Sequence, residues 1–196
     1  RVAMLAFTDN EPAWAAGPDR PGTNYLPVSL EPEVLAVVEE GVAAAREAGA
    51  ELVVLSNHWG PNMVLRPNET FRRFARAAVD RGVDVYYGHS AHLVQGIEIY
   101  RGRPILYDTG DFLDDYAVDP VLRNDWSCLF RLALAPGRLL GLELVPVHLG
   151  FAQVRLAVGA DREGILARVE RLSAELGTRL VRREGRLVLD EAHLGA

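Results

Sequence analysis

A strand, helix and strand between residues 51 and 87 constrain the fold of this chain more than any other feature. The segments 51–56 and 83–87 are short and mostly apolar, and residues 68–81 between them repeat apolar side chains at helical spacing. Elements in this order form neighbouring parallel strands joined by a right-handed crossover. We therefore expect a parallel β-sheet in which both strands end at one carboxyl-terminal edge.

The rest of the chain extends this pattern on both sides. An apolar run at 2–7 predicts another buried parallel strand, and residues 32–48 predict a helix. A third helix is predicted at 161–176, with Asp161 as its cap. Three later segments have the alternation of antiparallel hairpins: 97–107, 126–147 and 178–190. The predicted fold class is α/β, with parallel βαβ units followed by antiparallel hairpins, in a single domain over residues 1–196.

Two histidine motifs follow the paired strands. One is Asn57-His58-Trp59-Gly60, and the other is Gly88-His89-Ser90-Ala91-His92. Ligands of open α/β sheets bind at the edge where such motifs emerge, and neutral imidazole binds Zn, Mn, Fe, Ni and Cu. One interpretation is a metal site that contains His58, His89 and His92. The alternative is that they are loop histidines bonded to backbone or water, and this applies most to His58.

Other polar residues allow two interpretations as well. The loop from Tyr107 to Tyr116 carries four carboxylates, which could bind metal, orient histidines or form a solvated acidic loop. We interpret His148 as structural because it lies within a strand, and His193 as part of a solvated tail.

Composition excludes some functions. The net charge of -6 disfavours nonspecific nucleic-acid binding, since such affinity comes from basic residues that neutralise phosphates. No run approaches the roughly 18 apolar residues of a membrane span, and no signal-peptide pattern opens the chain. We therefore expect a protein of the cytoplasm that has no nucleic-acid partner and no membrane span.

Several of these segments together resemble the CapA family of capsule and poly-γ-glutamate biosynthesis proteins. The similar segments are His-Trp-Gly at 58–60, Gly-His-x-x-His at 88–92, residues 95–98, the loop 107–112 and the strand 144–147. The family often has glutamate at the position of Asn62 and asparagine at that of Asp111. The resemblance implies the layered α-β-β-α fold of the calcineurin-like metallophosphoesterases. It also implies that the amino-terminal part is missing, because residues 1–50 match neither the family's first aspartate nor its Asn-Asn-His motif.

The resemblance also implies a site. Its metal ligands would be His58, His89 and His92, and its cofactors would be two divalent ions of Mn, Fe, Zn, Ni or Mg. Candidate catalytic residues, or residues that orient the ligands, are Asp108, Asp111 and Asn57. Candidate substrate-binding residues are Trp59, Gly60, Asn62 and Arg66. Arg66 could bind a phosphoryl oxygen or could simply be an exposed loop arginine.

The implied function is metal-dependent phosphoester hydrolysis in the synthesis of a cell-envelope polymer. Its substrate would be a small-molecule or polymer phosphoester, or a compound related to polyglutamate. The alternative is a non-catalytic assembly or binding module that keeps the same fold. Without the amino-terminal ligands of the family, residues 1–196 alone are expected to bind metal weakly and to be inactive.

Overall fold

Two β-sheets and three α-helices make up the part of the chain that the computed structural model describes, residues 1–194. The strands of the first sheet are β1 (Val2–Thr8), β2 (Leu52–His58), β3 (Val85–His89), β4 (Ile97–Tyr100) and β5 (Arg103–Leu106). Those of the second sheet are β6 (Trp126–Ala135), β7 (Arg138–Gly150), β8 (Gln153–Leu156), β9 (Leu180–Arg183) and β10 (Arg186–Leu189). The helices are α1 (Pro32–Glu47), α2 (Glu69–Asp80) and α3 (Gly159–Glu175).

The first sheet has the order β1-β2-β3-β5-β4, and its first three strands are parallel neighbours. This confirms the predicted parallel units. The hairpin of β4 and β5 is antiparallel, as predicted, and β5 also lies parallel to β3. The second sheet is antiparallel, with the order β6-β7-β10-β9 and with β8 beside β7. The layered α/β fold class is thus confirmed.

Helices α1 and α2 cover one face of the first sheet. Val38 of α1 and Phe74 of α2 pack in one core with Leu55 of β2 and Tyr86 of β3. The periodicity of α2 predicts this face correctly, and the helix starts where the side chain of Asn68 accepts a hydrogen bond from Phe71 N. A second core joins the first sheet, the second sheet and α3, and includes Ile97, Leu106, Leu144, Ile165 and Leu187.

Two local predictions are wrong. The strand at 2–7 is not buried on both faces: β1 lies at the sheet edge, and Val2 and Met4 are 67% and 63% exposed. Helix α3 begins at Gly159 after Val158, so Asp161 is inside its first turn and is not its cap. The Asp161 carboxylate instead accepts hydrogen bonds from the side chains of Arg123 and Trp126.

None of the helices in the described residues has the length and apolar character that crossing a lipid bilayer requires.

Candidate functional site

His58 and His89 meet at the carboxyl-terminal edge of the parallel sheet. They are register partners on β2 and β3, so the two strands deliver their imidazoles side by side. The two Nδ1 atoms are 3.3 Å apart, and the ring centroids are 5.3 Å apart with the planes inclined at 62°. The structure therefore brings together two of the three predicted metal ligands.

The surroundings of His89 favour its neutral form. Burial lowers the pKa of His89, and the neighbouring His58 lowers it further. Its Nε2 lies 3.1 Å from Ser56 Oγ on the adjacent strand. When the Ser56 hydroxyl oxygen accepts a hydrogen bond from Nε2–H, the Nδ1 lone pair is directed toward His58, and this neutral tautomer is the form of imidazole that binds metal.

The separation of the two nitrogens fits a shared cation. Two ligands about 2.1 Å from one zinc ion at a tetrahedral angle are separated by about 3.4 Å, and the observed separation is 3.3 Å. Within residues 1–194, however, no cluster of three or more His, Cys, Asp or Glu side chains could hold a metal ion. The two imidazole nitrogens alone are fewer ligands than a four-coordinate ion needs.

His92 lies in a second group of polar residues at the same edge. Its backbone is left-handed, with φ of 60°, and its Nδ1 lies 2.9 and 3.1 Å from the two carboxylate oxygens of Asp111. The ring of Tyr116 stands edge-on to the imidazole, with centroids 5.1 Å apart. A carboxylate in this position fixes an imidazole and leaves Nε2 for a ligand. The role of Asp111 as a residue that orients a metal-binding His92 stays a prediction.

Asp108 contacts backbone rather than an imidazole. Its buried carboxylate accepts hydrogen bonds from Ala91 N at 2.7 Å and from Gly110 N at 2.8 Å. Burial raises the pKa of Asp108 to about 6, although these two hydrogen bonds oppose the shift. Asp108 therefore joins the loop that carries His92 to the loop that carries Asp111.

Asn57 points away from the histidine pair, because successive residues of a strand face opposite sides of a sheet. Its side-chain amide donates to the hydroxyl of Tyr86, 2.9 Å away, on the face that the helices cover. Its Oδ1 is buried and has no hydrogen-bond partner within residues 1–194. In this geometry Asn57 is separated from the His58 imidazole by the sheet itself.

Trp59 and Gly60 form the turn that follows His58. Trp59 is 3% exposed, and its indole N–H donates to Tyr107 O at 2.9 Å. Gly60 has φ of 77°, and a Cβ at this position would lie 2.9 Å from a ring carbon of Phe71. Both residues pack against the body of the protein, and they also line a cavity of about 80 Å³ together with Arg66 and Asp108.

The remaining predicted substrate-binding residues lie further along this loop. Asn62 is exposed. Arg66 donates from Nε and from a terminal nitrogen to the carboxylate of Glu175, at 2.7 and 2.8 Å. This pair raises the pKa of Arg66 and lowers that of Glu175. Contact between Arg66 and a phosphoryl oxygen stays a prediction.

The other two histidines lie elsewhere. His148 Nε2 is 3.1 Å from Asp125 and 3.6 Å from Asp161, in a network that also holds Arg123. The interpretation of His193 as solvated tail is wrong. A short 3-10 turn folds it back, and its Nε2 accepts a hydrogen bond from Arg179 N at 3.0 Å.

Three residues at the carboxyl-terminal end of β1 also contact the site, although no motif in the sequence marks them. The Thr8 hydroxyl donates to His58 O at 2.9 Å, Asp9 Oδ1 accepts from Gly60 N at 2.9 Å, and the Asn10 side-chain amide donates to Ser90 Oγ at 3.1 Å. Burial raises the pKa of Asp9, and the nearby His58 opposes this shift. Their position at the carboxyl-terminal end of a parallel strand was the available signal, since all such strands end at one edge.

Comparisons with known proteins agree with the family resemblance. The family described as "Bacterial capsule synthesis protein PGA_cap" matches residues 1–116. A probable polyglutamine synthesis accessory protein of Mycobacterium tuberculosis is 33% identical over 181 residues, which are 90% of this chain and 47% of that protein. The capsule biosynthesis protein CapA of Bacillus anthracis is 31% identical over 150 residues, 76% of this chain and 35% of its own length.

The PGA biosynthesis protein CapA of Bacillus subtilis is 36% identical over 115 residues, 58% of this chain and 28% of that protein. The chain thus spans about half the length, or less, of these curated relatives.

Proposed function

Because the chain belongs to the bacterial capsule synthesis family PGA_cap, we propose that it carries the imidazole side of a metal centre that hydrolyses a phosphoester during the synthesis of an envelope polymer. The observation that supports this most is the pair of facing Nδ1 atoms of His58 and His89, 3.3 Å apart at the ligand-binding edge of a parallel sheet.

Each residue near this pair has a separate part in the proposal. His58 and His89 bind one divalent cation, and Ser56 holds His89 in the tautomer that can do so. His92, oriented by Asp111, contributes to a second cation. Divalent ions held by these residues would supply a polarised water for attack at phosphorus and positive charge beside the phosphoryl oxygens.

The chemistry of the donors limits the choice of metal. Cys128, the single cysteine, is buried in the second core, and burial raises its pKa to about 12. The proposed ligands are therefore nitrogen and oxygen atoms, which suit Mn, Fe, Zn, Ni or Mg. The proposed substrate is a phosphoester, either a small molecule or part of a polymer related to polyglutamate.

Metal binding tests the proposal first. The chelator-treated protein should bind Zn²⁺ or Mn²⁺ in calorimetric titrations, and His58→Ala and His89→Ala should each weaken this binding at least about tenfold. His193→Ala is the matched control, because it removes an imidazole bonded to backbone far along the chain. Unchanged affinity in both His58→Ala and His89→Ala would remove the pair from the site.

A hydrolysis assay tests the second part of the proposal, which is catalysis. The protein as the cell makes it should hydrolyse bis(p-nitrophenyl) phosphate with added Mn²⁺ or Zn²⁺, and His89→Ala should abolish turnover without loss of the folded state. Metal binding with no metal-dependent hydrolysis of this or other phosphoesters would instead support a non-catalytic assembly module.

A further inference from the structure

The segment Thr8-Asp9-Asn10 begins with the last residue of β1, and it contacts the backbone of His58 and the loops that follow His58 and His89. We propose that Asp9 and Asn10 are positioning residues that set the separation of the His58 and His89 imidazoles. The part of this inference that concerns metal binding rests on the proposed function, whereas the part that concerns the imidazole separation does not.

The register of the sheet places the segment beside the site. Thr8 is the partner of His58 across β1 and β2, and His58 is the partner of His89 across β2 and β3. The chain that leaves β1 therefore passes next to the first histidine. Thr8 Oγ1 and Asp9 N both donate to His58 O, at 2.9 and 3.2 Å, so the segment is anchored at the backbone of His58 itself.

Asp9 fixes the loop after His58. Its Oδ1 accepts from Gly60 N at 2.9 Å. Gly60 is in a left-handed conformation, with φ of 77°, and this turn sets the direction of the backbone after His58. Asp9 is half-buried, which shields the hydrogen bond from competing water.

Asn10 fixes the loop after His89. Its amide donates to Ser90 Oγ at 3.1 Å, and its own N–H donates to Thr8 Oγ1 at 3.1 Å. Ser90 is buried and has φ of 131°, a backbone conformation that side chains rarely adopt. Such conformations persist only where surrounding contacts hold them, and Asn10 provides one of these contacts.

The two contacts act on different loops from one short segment. Asp9 holds the loop of β2, and Asn10 holds the loop of β3, so a change in this segment alters the position of one histidine relative to the other. Ligand geometry must be kept to within about 0.5 Å for a metal site to work. The segment therefore controls metal affinity without contributing a ligand.

The test compares Asp9→Ala, Asp9→Asn and Asn10→Ala, with Asp19→Ala as control because Asp19 is an exposed acidic residue of the same loop. An asparagine at position 9 keeps an oxygen that can accept from Gly60 N, whereas alanine does not. We expect Asp9→Ala and Asn10→Ala to raise the Kd for Zn²⁺ about tenfold or more, as loss of orienting groups does. Asp9→Asn and Asp19→Ala should stay close to the wild-type value.

A metal-free measurement separates this inference from the proposed function. Nuclear Overhauser contacts between the ring protons of His58 and His89 should be present in the wild type and in Asp9→Asn, and weaker or lost in Asp9→Ala. These contacts decide the inference even if the wild-type protein binds no metal, a result that would count against the proposed function alone.

Three results would overturn the inference. In the first, the ring contacts stay unchanged in Asp9→Ala and Asn10→Ala and, where the wild type binds metal, the Kd stays unchanged as well. This would show that the segment does not position the histidines. Equal losses in Asp9→Asn and Asp9→Ala would show that Asp9 acts through its charge. If Asp9→Ala does not fold, Asn10→Ala and Ser90→Ala are compared with the wild type instead. Ring contacts and a Kd equal to those of the wild type in both variants would overturn the inference.

Discussion

The Nδ1 atoms of His58 and His89 lie 3.3 Å apart at the ends of two parallel strands. The register of the parallel strands places the two imidazoles side by side. Because the loops after these strands begin directly after the two histidines, a change in a loop should alter the geometry of the pair.

Replacement of Gly60 by alanine should destabilise the turn after His58. Gly60 has a positive φ, and an added Cβ would lie 2.9 Å from the Phe71 ring. We expect a loss of about 1–3 kcal/mol in the free energy of unfolding, measured by urea denaturation. Gly150→Ala is the control, because no atom lies within 4 Å of a Cβ built there. Equal stabilities of the two variants would contradict this account of Gly60.

Asp108 should make stability depend on pH in a particular direction. Burial raises its pKa from the usual 3.8 to about 6, so between these values the native state binds a proton that the unfolded chain does not. The contribution of the Asp108 carboxyl group to the free energy of unfolding is therefore highest at low pH and falls as the pH rises through about 6. Asp108→Asn should be less stable than wild type at low pH, because one of two accepted hydrogen bonds is lost.

The size of that difference should change with pH. Denaturation of the metal-free protein at about pH 5 and at about pH 7.5 should give a larger loss for Asp108→Asn at the lower value, because only the wild type gains from protonation there. A loss that is equal at both pH values would indicate an unshifted carboxyl group.

The apolar runs predicted the parallel strands because a strand buried against helices needs apolar residues along much of its length. The meeting of His58 and His89 followed from the strand-helix-strand order alone. The exposure of Val2 and Met4 could not be predicted, since a run at a sheet edge looks the same as a run at its centre.

Contacts made by the irregular loops could not be predicted from the sequence either. Asn10 and Ser90 are 80 positions apart, and the loop between residues 8 and 31 has no periodicity that would indicate its path. Asp108 was predicted to orient a histidine, but its partners are backbone N–H groups, which every residue other than proline possesses. Such partners leave no pattern in a sequence.

Arg76 should be important for stability because it neutralises a buried carboxylate. Two of its nitrogens donate to Glu98, at 2.9 and 2.6 Å, and Glu98 is 4% exposed. Arg76→Ala leaves that charge unpaired, which should cost about 3 kcal/mol of the free energy of unfolding. Arg73→Ala on the exposed face of the same helix should change stability by less than about 0.5 kcal/mol. Thermal and urea denaturation would measure both.

Asp111 should act on metal binding through His92. Its carboxylate accepts from the imidazole Nδ1, so removal of the side chain leaves the ring free to rotate. Asp111→Ala should therefore weaken Zn²⁺ binding by about 10- to 100-fold. Asp111→Asn retains an oxygen that can accept the same hydrogen bond, and its Kd should lie between those of wild type and Asp111→Ala. Asp115→Ala, a change of an exposed acidic residue in the same loop, should have no effect. If Asp115→Ala weakens binding as much as Asp111→Ala does, the loop attracts the cation by its overall charge, and the contact between Asp111 and His92 has no particular part in binding.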